Sequence, residues 1–352
     1  MVREAPVHGG DVLAAAARWG LDPAAIADFS ANINPFGPPA GVLAAVAASV
    51  TGVRHYPEPY SRSLRAALAR RHGVAEGAVL VGNGAAEVIH LLARAAAGKR
   101  VAVPVPGFAE YARAARAVGA AVMEWDARPG DGGGSDALPA GSMQTGELLF
   151  LCNPHNPTGR LLTPSAVMAV VDGTPATVVV DDAFIDLTDS GEAGSVIPYV
   201  RTRPNLVVVR SLTKFYAMPG LRVGYALARP ELVAALDAVR DPWSVGAPAQ
   251  AGGLAALADR EYARRTLAWV RQERDFLAAE LAKLPGYAVE PPSANFILVR
   301  APEPAPVIQE RLGPQGILIR DCRSFAGLTP FHVRLAVRSH PENLRLLEAL
   351  RR

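Results

Sequence analysis

The sequence predicts an α/β fold, with a large domain on a mainly parallel sheet followed by a smaller α+β domain at the carboxyl end. Short apolar or β-branched runs at 79–82, 101–103, 148–151, 177–180 and 206–209 alternate with helical, often Ala-rich stretches, the pattern of strands joined by helical crossovers. Beyond Pro285 the pattern changes to three apolar or alternating runs, at 295–299, 316–320 and 331–337, which suit a small sheet backed by helices. A chain of 352 residues, 50% apolar, can bury one large core and a smaller one. The expected organisation is an arm over 1–40, a large domain over 41–240 and a small domain with linking helices over 241–352.

Taken in order, His8-Gly9-Gly10-Asp11 and the segment from Asp28 to Gly37 collect polar side chains, glycines and prolines, and read as an irregular arm rather than a packed element. Asp11 also suits a helix cap. Tyr56 falls among Arg54, His55, Pro57 and Pro59 and reads as a loop aromatic. After the strand at 79–82, Asn83-Gly84-Ala85-Ala86-Glu87 opens a helix. Backbone N–H groups and the positive helix end converge there, and Gly84, Ala85 and Ala86 are small enough to admit an anion, although any strand-to-helix turn favours glycine. Phe108, just past the strand at 101–103, suits either stacking on a flat ring or core packing, and Tyr111 reads as structural. The glycine-rich stretch between Arg128 and Glu147 reads as a mobile surface insertion.

The strand at 148–151 ends in Asn153-Pro154-His155-Asn156-Pro157-Thr158-Gly159, a fixed loop at the strand's carboxyl end, where open α/β sheets place their ligands. The run at 177–180 ends in Asp181-Asp182-Ala183-Phe184. A carboxylate closing a buried strand is costly unless paired, and a protonated ring nitrogen would pair with Asp181. Asp182 reads as a solvated or structural neighbour. Val223–Leu227 is expected to be an antiparallel strand, and helices from Pro230 to Leu284 are broken at Trp243-Ser244-Val245-Gly246. Arg334 interrupts an apolar strand, which argues for a fixed anionic partner, while Arg320 and Arg323 are candidates for a second anion or simply solvated cations.

The residue that organises these elements is Lys214. The chain has three lysines, at 99, 214 and 283, so its 36 cationic residues include 33 arginines (36 − 3). A lysine retained after the run at 206–209, between hydroxyls and apolar side chains, points to chemistry that arginine cannot perform: an amine forms a Schiff base and a guanidinium does not. Ser211, Thr213 and Arg222 around it suit a phosphate dianion, so the group expected here is pyridoxal 5'-phosphate. Taken alone, the same lysine also fits a surface loop.

The segment Ser211-Leu212-Thr213-Lys214-Phe215-Tyr216-Ala217-Met218-Pro219-Gly220-Leu221-Arg222 resembles the lysine segment of fold-type I pyridoxal-phosphate enzymes, in the group that holds histidinol-phosphate aminotransferases and the threonine-phosphate decarboxylases of cobalamin synthesis. The resemblance runs from His8 to the last arginines, and the 215–220 version, with the His8-Gly9-Gly10 and Ser30-to-Pro35 segments, follows the decarboxylases. It implies a homodimer in which Tyr56 reaches the cofactor phosphate of the neighbouring copy, Phe108 stacks on the ring, Asn156 bonds its phenolic oxygen and Asp181 its nitrogen, and Arg334 binds the substrate carboxylate. In that group the arm closes over the site, making His8 and Asn32 substrate candidates beside Arg320 and Arg323. Many of the aminotransferases carry a tyrosine where Phe184 stands, which favours decarboxylation of L-threonine O-3-phosphate, with transamination of the histidinol-phosphate type as the alternative.

A net charge of +3 with scattered arginines offers no basic block for nucleic acid, and small phosphorylated amino compounds are the expected partners. The apolar run from Gly41 to Val50 is far shorter than the ~20 residues that span a bilayer. The amino end, with Arg3, Glu4 and His8, lacks the pattern of a secretory signal, and a cytoplasmic protein is expected. Cys152 and Cys322 show no metal-ligand spacing and read as buried thiols, so no metal is expected.

Overall fold

A seven-stranded sheet forms the largest layer of the computed structural model, which describes residues 8–128 and 138–352. The chain enters through α1 (Val12–Trp19), β1 (Ala27–Asp28), α2 (Ala40–Ser49) and α3 (Arg62–His72). Strands and helices then follow as β2 (Val79–Asn83), α4 (Gly84–Ala95), β3 (Arg100–Val105), α5 (Ala109–Ala117), β4 (Ala121–Asp126), β5 (Leu148–Cys152), α6 (Pro164–Asp172), β6 (Thr177–Asp181), β7 (Leu206–Ser211), α7 (Leu212–Phe215) and β8 (Val223–Leu227). Helices α8 (Pro230–Asp237), α9 (Ala247–Ala258) and α10 (Arg260–Ala282) lead to β9 (Ala288–Val289), β10 (Phe296–Arg300), α11 (Ala305–Leu312), β11 (Ile317–Leu318), β12 (Arg320–Asp321), β13 (His332–Ala336) and α12 (His340–Arg351). None of the described helices is long and apolar enough to cross a membrane.

The large sheet has the order β2-β8-β7-β6-β5-β3-β4, with β8 antiparallel to both neighbours and the other pairings parallel. Its central strands are buried along their whole length, which explains their unbroken apolar runs. In β7, Leu206 and Val208 enter one core layer and Val207 and Val209 the other. Helices α2, α3, α6 and α9 contribute to the first layer, and α4, α5 and α8 to the second. Strand β4, absent from the sequence reading, closes one edge and exposes Glu124 and Asp126, charges that discourage pairing with another chain.

The smaller sheet, β12-β13-β10-β9, is antiparallel throughout. It packs on α10, α11 and α12 through Leu277, Leu281, Ile308, Leu312, Leu346 and Leu350. The run at 316–320, expected as one strand of this sheet, divides instead. Ile317 and Leu318 pair in parallel with Ala27 and Asp28, and only Arg320 and Asp321 join β13.

That pairing corrects the reading of the arm, which is irregular but packed. Phe29 is fully buried, and Ser30, Asn32 and Asn34 are buried with it. The backbone N–H of Phe29 donates to Leu318, that of Ala336 donates to Phe29, and the Asn34 amide donates to the Phe215 carbonyl and the Thr266 hydroxyl, both at 2.9 Å. Asn34 can be buried here because distant parts of the chain satisfy its hydrogen bonds. The expected surface insertion is also corrected in part. Met143 is buried in the core and Glu147 pairs with Arg100 at 2.6 Å, whereas residues 129–137 of that expectation lie outside the described residues.

Candidate active site

The carboxyl ends of β5, β6 and β7 and the amino ends of α4 and α7 meet at a cavity of about 190 Å³. Among the described residues it is lined by Lys214, Arg222, Arg320 and Arg334 against a single carboxylate, Asp181. Such an excess of cations around a cavity selects anions.

Lys214 sits in the short helix α7, whose start is fixed by the Ser211 side chain accepting from the Thr213 N–H. It is partly exposed and lines the cavity, and no described side chain bonds its amine. Burial, reinforced by the positive charge of Arg334 and Arg222 and opposed by Asp181, pushes the amine down to about 8, which leaves about a tenth of it unprotonated and nucleophilic at pH 7, far more than in an ordinary lysine.

The Ser211 and Thr213 hydroxyls lie 2.7 Å apart on the same wall. Arg222, held at φ 57, donates to the Pro219 carbonyl at 3.3 Å and forms no ion pair among the described residues. Its guanidinium lies against Gly84, where a Cβ would stand 2.4 Å from Nη2, and a Cβ at Gly224 would stand 2.3 Å from the Ala85 nitrogen. Two glycines therefore bring Arg222 and β8 against the start of α4, where Ala85 and Ala86 line the cavity. Hydroxyls, guanidinium and helix start together form a cradle for a phosphate.

Asp181 ends β6 and is 5% exposed. Its Oδ2 accepts from the Tyr111 phenol at 2.6 Å and its Oδ1 from the Ala183 N–H at 3.0 Å, and it forms no ion pair among the described residues. Burial pushes the carboxyl up, against these two bonds and Lys214. Asp182 faces away from the cavity lining, receives the Ser195 hydroxyl at 2.5 Å and is pushed up to about 7 by burial. Phe108 lines the cavity and meets Tyr111 edge-on at 5.6 Å.

The loop after β5 is braced from three sides. Asn153 bonds the backbone of Leu162 at 2.8 and 3.3 Å, and the Thr158 hydroxyl meets His155 Nδ1 at 2.8 Å. His155 Nε2 donates to the Pro106 carbonyl at 2.9 Å. Burial pushes His155 down to about 4, so the ring is neutral near neutral pH and Nδ1 accepts. Asn156 is thereby presented to the cavity, where its Oδ1 accepts from Arg334 Nη1 at 2.5 Å. Arg334 also donates to the Ser30 carbonyl at 2.9 Å, its Nε has no partner, and it forms no ion pair among the described residues. Burial pushes it down to about 10, the mark of a cation held ready for an anion.

On the arm side, the Asn32 amide is buried with neither atom bonded among the described residues. Arg320 Nη2 donates to the Ser324 hydroxyl at 2.7 Å, and His8 Nε2 lies 3.1 Å from Glu110 Oε1. Arg323 is not brought into this cavity: its guanidinium pairs with Asp321 at 2.7 Å and lines an adjoining space. Tyr56 lies outside as well, 80% exposed against the Trp243 ring at 4.8 Å. The sequence reading missed Cys152, Ser324 and Phe325 in the lining, and it treated Tyr111 as structural although its hydroxyl holds Asp181.

These residues fit pyridoxal 5'-phosphate: a partly exposed amine of lowered basicity, a phosphate cradle shaped by two glycines and a buried carboxylate that forms no ion pair among the described residues. The sequence pattern of class I and II aminotransferases matches residues 24–350. The threonine-phosphate decarboxylase of Salmonella typhimurium is 38% identical over 98% of this chain and 95% of that protein, and the histidinol-phosphate aminotransferase of Symbiobacterium thermophilum is 39% identical over 91% and 88%. Among solved structures, the L-threonine-O-3-phosphate decarboxylase of Porphyromonas gingivalis superposes with a TM-score of 0.81 at 29% identity, covering 92% of this chain and 97% of that one. The fold also matches a histidinol-phosphate aminotransferase from Sinorhizobium meliloti solved with pyridoxal 5'-phosphate, with a TM-score of 0.85, 24% identity and coverage of 100% and 97%. The chain belongs to the class I and II aminotransferase family, whose cofactor is pyridoxal 5'-phosphate.

Proposed function

We propose that the protein removes carbon dioxide from L-threonine O-3-phosphate to give (R)-1-aminopropan-2-yl phosphate, a step of cobalamin biosynthesis. The observation that carries this reading is the charge of the cavity. Beside the cations suited to a cofactor phosphate, Arg334 and Arg320 line the arm side, together with the Asn32 amide, which has no partner among the described residues, a set that suits a substrate bearing both a carboxylate and a phosphate.

The cofactor, once bound, supplies an electron sink for charge developing at the substrate's α carbon. Lys214 anchors it, Ser211, Thr213, Arg222, Ala85 and Ala86 hold its phosphate beside Gly84, Asp181 holds the ring nitrogen, Asn156 the phenolic oxygen, and Phe108 covers the ring. Tyr56 reaches the phosphate of a neighbouring copy in a homodimer. Arg334 binds the substrate carboxylate and sets which α-carbon bond stands across the ring. Arg320, His8 and Asn32 take the side-chain phosphate and so use remote binding energy to orient the bond that breaks. As the bond to the carboxylate breaks, its carbon leaves as carbon dioxide, and the Lys214 ammonium delivers one proton to the α carbon.

Phe184 favours decarboxylation. It lines the cavity and packs edge-on against Phe296 at 5.0 Å, presenting no hydroxyl where many aminotransferases of the group carry a phenol. The identity to the Symbiobacterium aminotransferase supports a second reading, transamination between histidinol phosphate and 2-oxoglutarate. Purified holoenzyme incubated with threonine phosphate and no oxo acid separates them. Sustained carbon dioxide release is expected; none, with turnover of histidinol phosphate on adding 2-oxoglutarate, establishes the second reading.

A further inference from the structure

We infer that Tyr111 is a positioning residue, whose phenol fixes the orientation and the charge of the Asp181 carboxylate. The inference rests on the reading of Asp181 as the ring-nitrogen partner. Tyr111 is 1% exposed, with its ring stacked on Phe150 at 4.6 Å and 13° and met edge-on by Phe108 at 5.6 Å and 85°. Contacts on two sides leave the ring one orientation, and in it the hydroxyl donates to Asp181 Oδ2 at 2.6 Å. The Ala183 N–H fixes Oδ1 at 3.0 Å. Each carboxylate oxygen thus has one donor on rigid structure, the arrangement that removes rotational freedom from a group required to meet a flat ring in its own plane.

The phenol also governs charge. Around Asp181 stand Tyr111 from α5, Cys152 from β5, Lys214 from α7 and the adjacent Asp182. Burial favours the neutral carboxyl, and the Tyr111 bond is the largest influence opposing it, ahead of Ala183 and Lys214. Tyr111 itself is pushed well above its ordinary value by burial and by Asp181, so it remains a donor wherever the enzyme works. Cys152, pushed up to about 12, stays a neutral thiol and supplies no competing charge.

Four proteins test this: the wild type, Tyr111→Phe, Asp181→Asn and the double variant. In the cofactor-free proteins, difference infrared spectra taken against Asp181→Asn follow the Asp181 carboxyl. Tyr111→Phe should move its titration upward by about one unit or more, and in holoenzyme lower kcat roughly tenfold or more with little change in KM. In the Asp181→Asn background the same substitution should change neither kcat nor the pH midpoint of the visible absorbance. An unmoved carboxyl titration, or an equal loss in both backgrounds, overturns the inference. Should the Phe variant not fold, fluorotyrosine at position 111, a stronger donor, must move the titration downward, and no shift there is equally fatal. If Asp181→Asn leaves the holoenzyme absorbance unaltered, the ring-nitrogen assignment fails by itself, while the infrared titration still judges the Tyr111–Asp181 pairing.

Discussion

Replacing Gly84 by alanine separates binding of the cofactor phosphate from stability of the fold. The residue has φ +75, where an L side chain costs about 1–2 kcal/mol, and its new Cβ would lie 2.4 Å from Arg222 Nη2. The obstructed atom is the far end of a flexible side chain, so the guanidinium swings away rather than the backbone yielding. A charge-assisted hydrogen bond is worth about 1.5–3 kcal/mol, and its loss should weaken cofactor binding roughly 10- to 150-fold. Gly224→Ala is the contrasting case. Its Cβ would meet the Ala85 nitrogen at 2.3 Å and the Gly84 carbonyl carbon at 2.7 Å, both backbone, so strand and helix must part at a cost of about 3 kcal/mol or more. Fluorescence titration of the cofactor-free proteins with pyridoxal phosphate, alongside chemical denaturation, reads both quantities. Cofactor affinity in Gly84→Ala equal to wild type, in a protein that remains folded, would remove Arg222 from the phosphate cradle and refute the argument.

Asp181→Asn should keep its cofactor, held by Lys214 and the phosphate cradle, yet lose on the order of a hundredfold in kcat, as steady-state assays would show; near-normal turnover would mean that another group faces the ring nitrogen. In the cofactor-free protein Lys214 titrates at about 8 against 10.5 when unfolded, so the unfolded chain binds more protons between those values. Stability should therefore rise with pH through that window, and denaturation curves of Lys214→Met should lack the rise. Arg210 is 2% exposed and pairs with Asp186 at 2.5 Å beside Asp182. Arg210→Met leaves the buried Asp182 and the half-buried Asp186 without this cation and should cost about 3–5 kcal/mol in denaturant titrations; an unchanged midpoint would show that the buried cation does not stabilise the fold. Borohydride reduction and peptide mapping of holoenzyme should label Lys214 and neither Lys99 nor Lys283.

Local sequence revealed those parts of the molecule whose neighbours in space are neighbours in the chain. Strands β5, β6, β7 and β8 are buried on both faces and write that fact as apolar runs, and Ser211, Thr213, Lys214 and Arg222 lie on one connection. Strand β4 was missed because an edge strand mixes exposed charges with a buried Trp125 and carries no clean period. The arm was misjudged because the partners of Asn34 stand at Phe215 and Thr266, and nothing near Asn34 discloses them. Tyr111 and Asp181 likewise meet only through the order of β3, β5 and β6 in the sheet. Arg323 shows the reverse: proximity to Arg320 suggested a shared role, and Asp321 claims its guanidinium instead.

The pairing of Ala27 and Asp28 with Ile317 and Leu318 bears on how the protein is made. The segment around Phe29 leaves the ribosome well before its backbone partners at Gly316, Leu318 and Ala336, and Ser30 well before Arg334. Until then the nascent chain carries the fully buried Phe29 exposed to the cell, where chaperones bind such segments. The large sheet can form in the meantime, since β2 to β8 are complete by Leu227. The wall that bears Asn32 and Ser30 closes only once β11 and β13 have been made, so a chain cut before them would assemble the phosphate cradle without a finished substrate chamber.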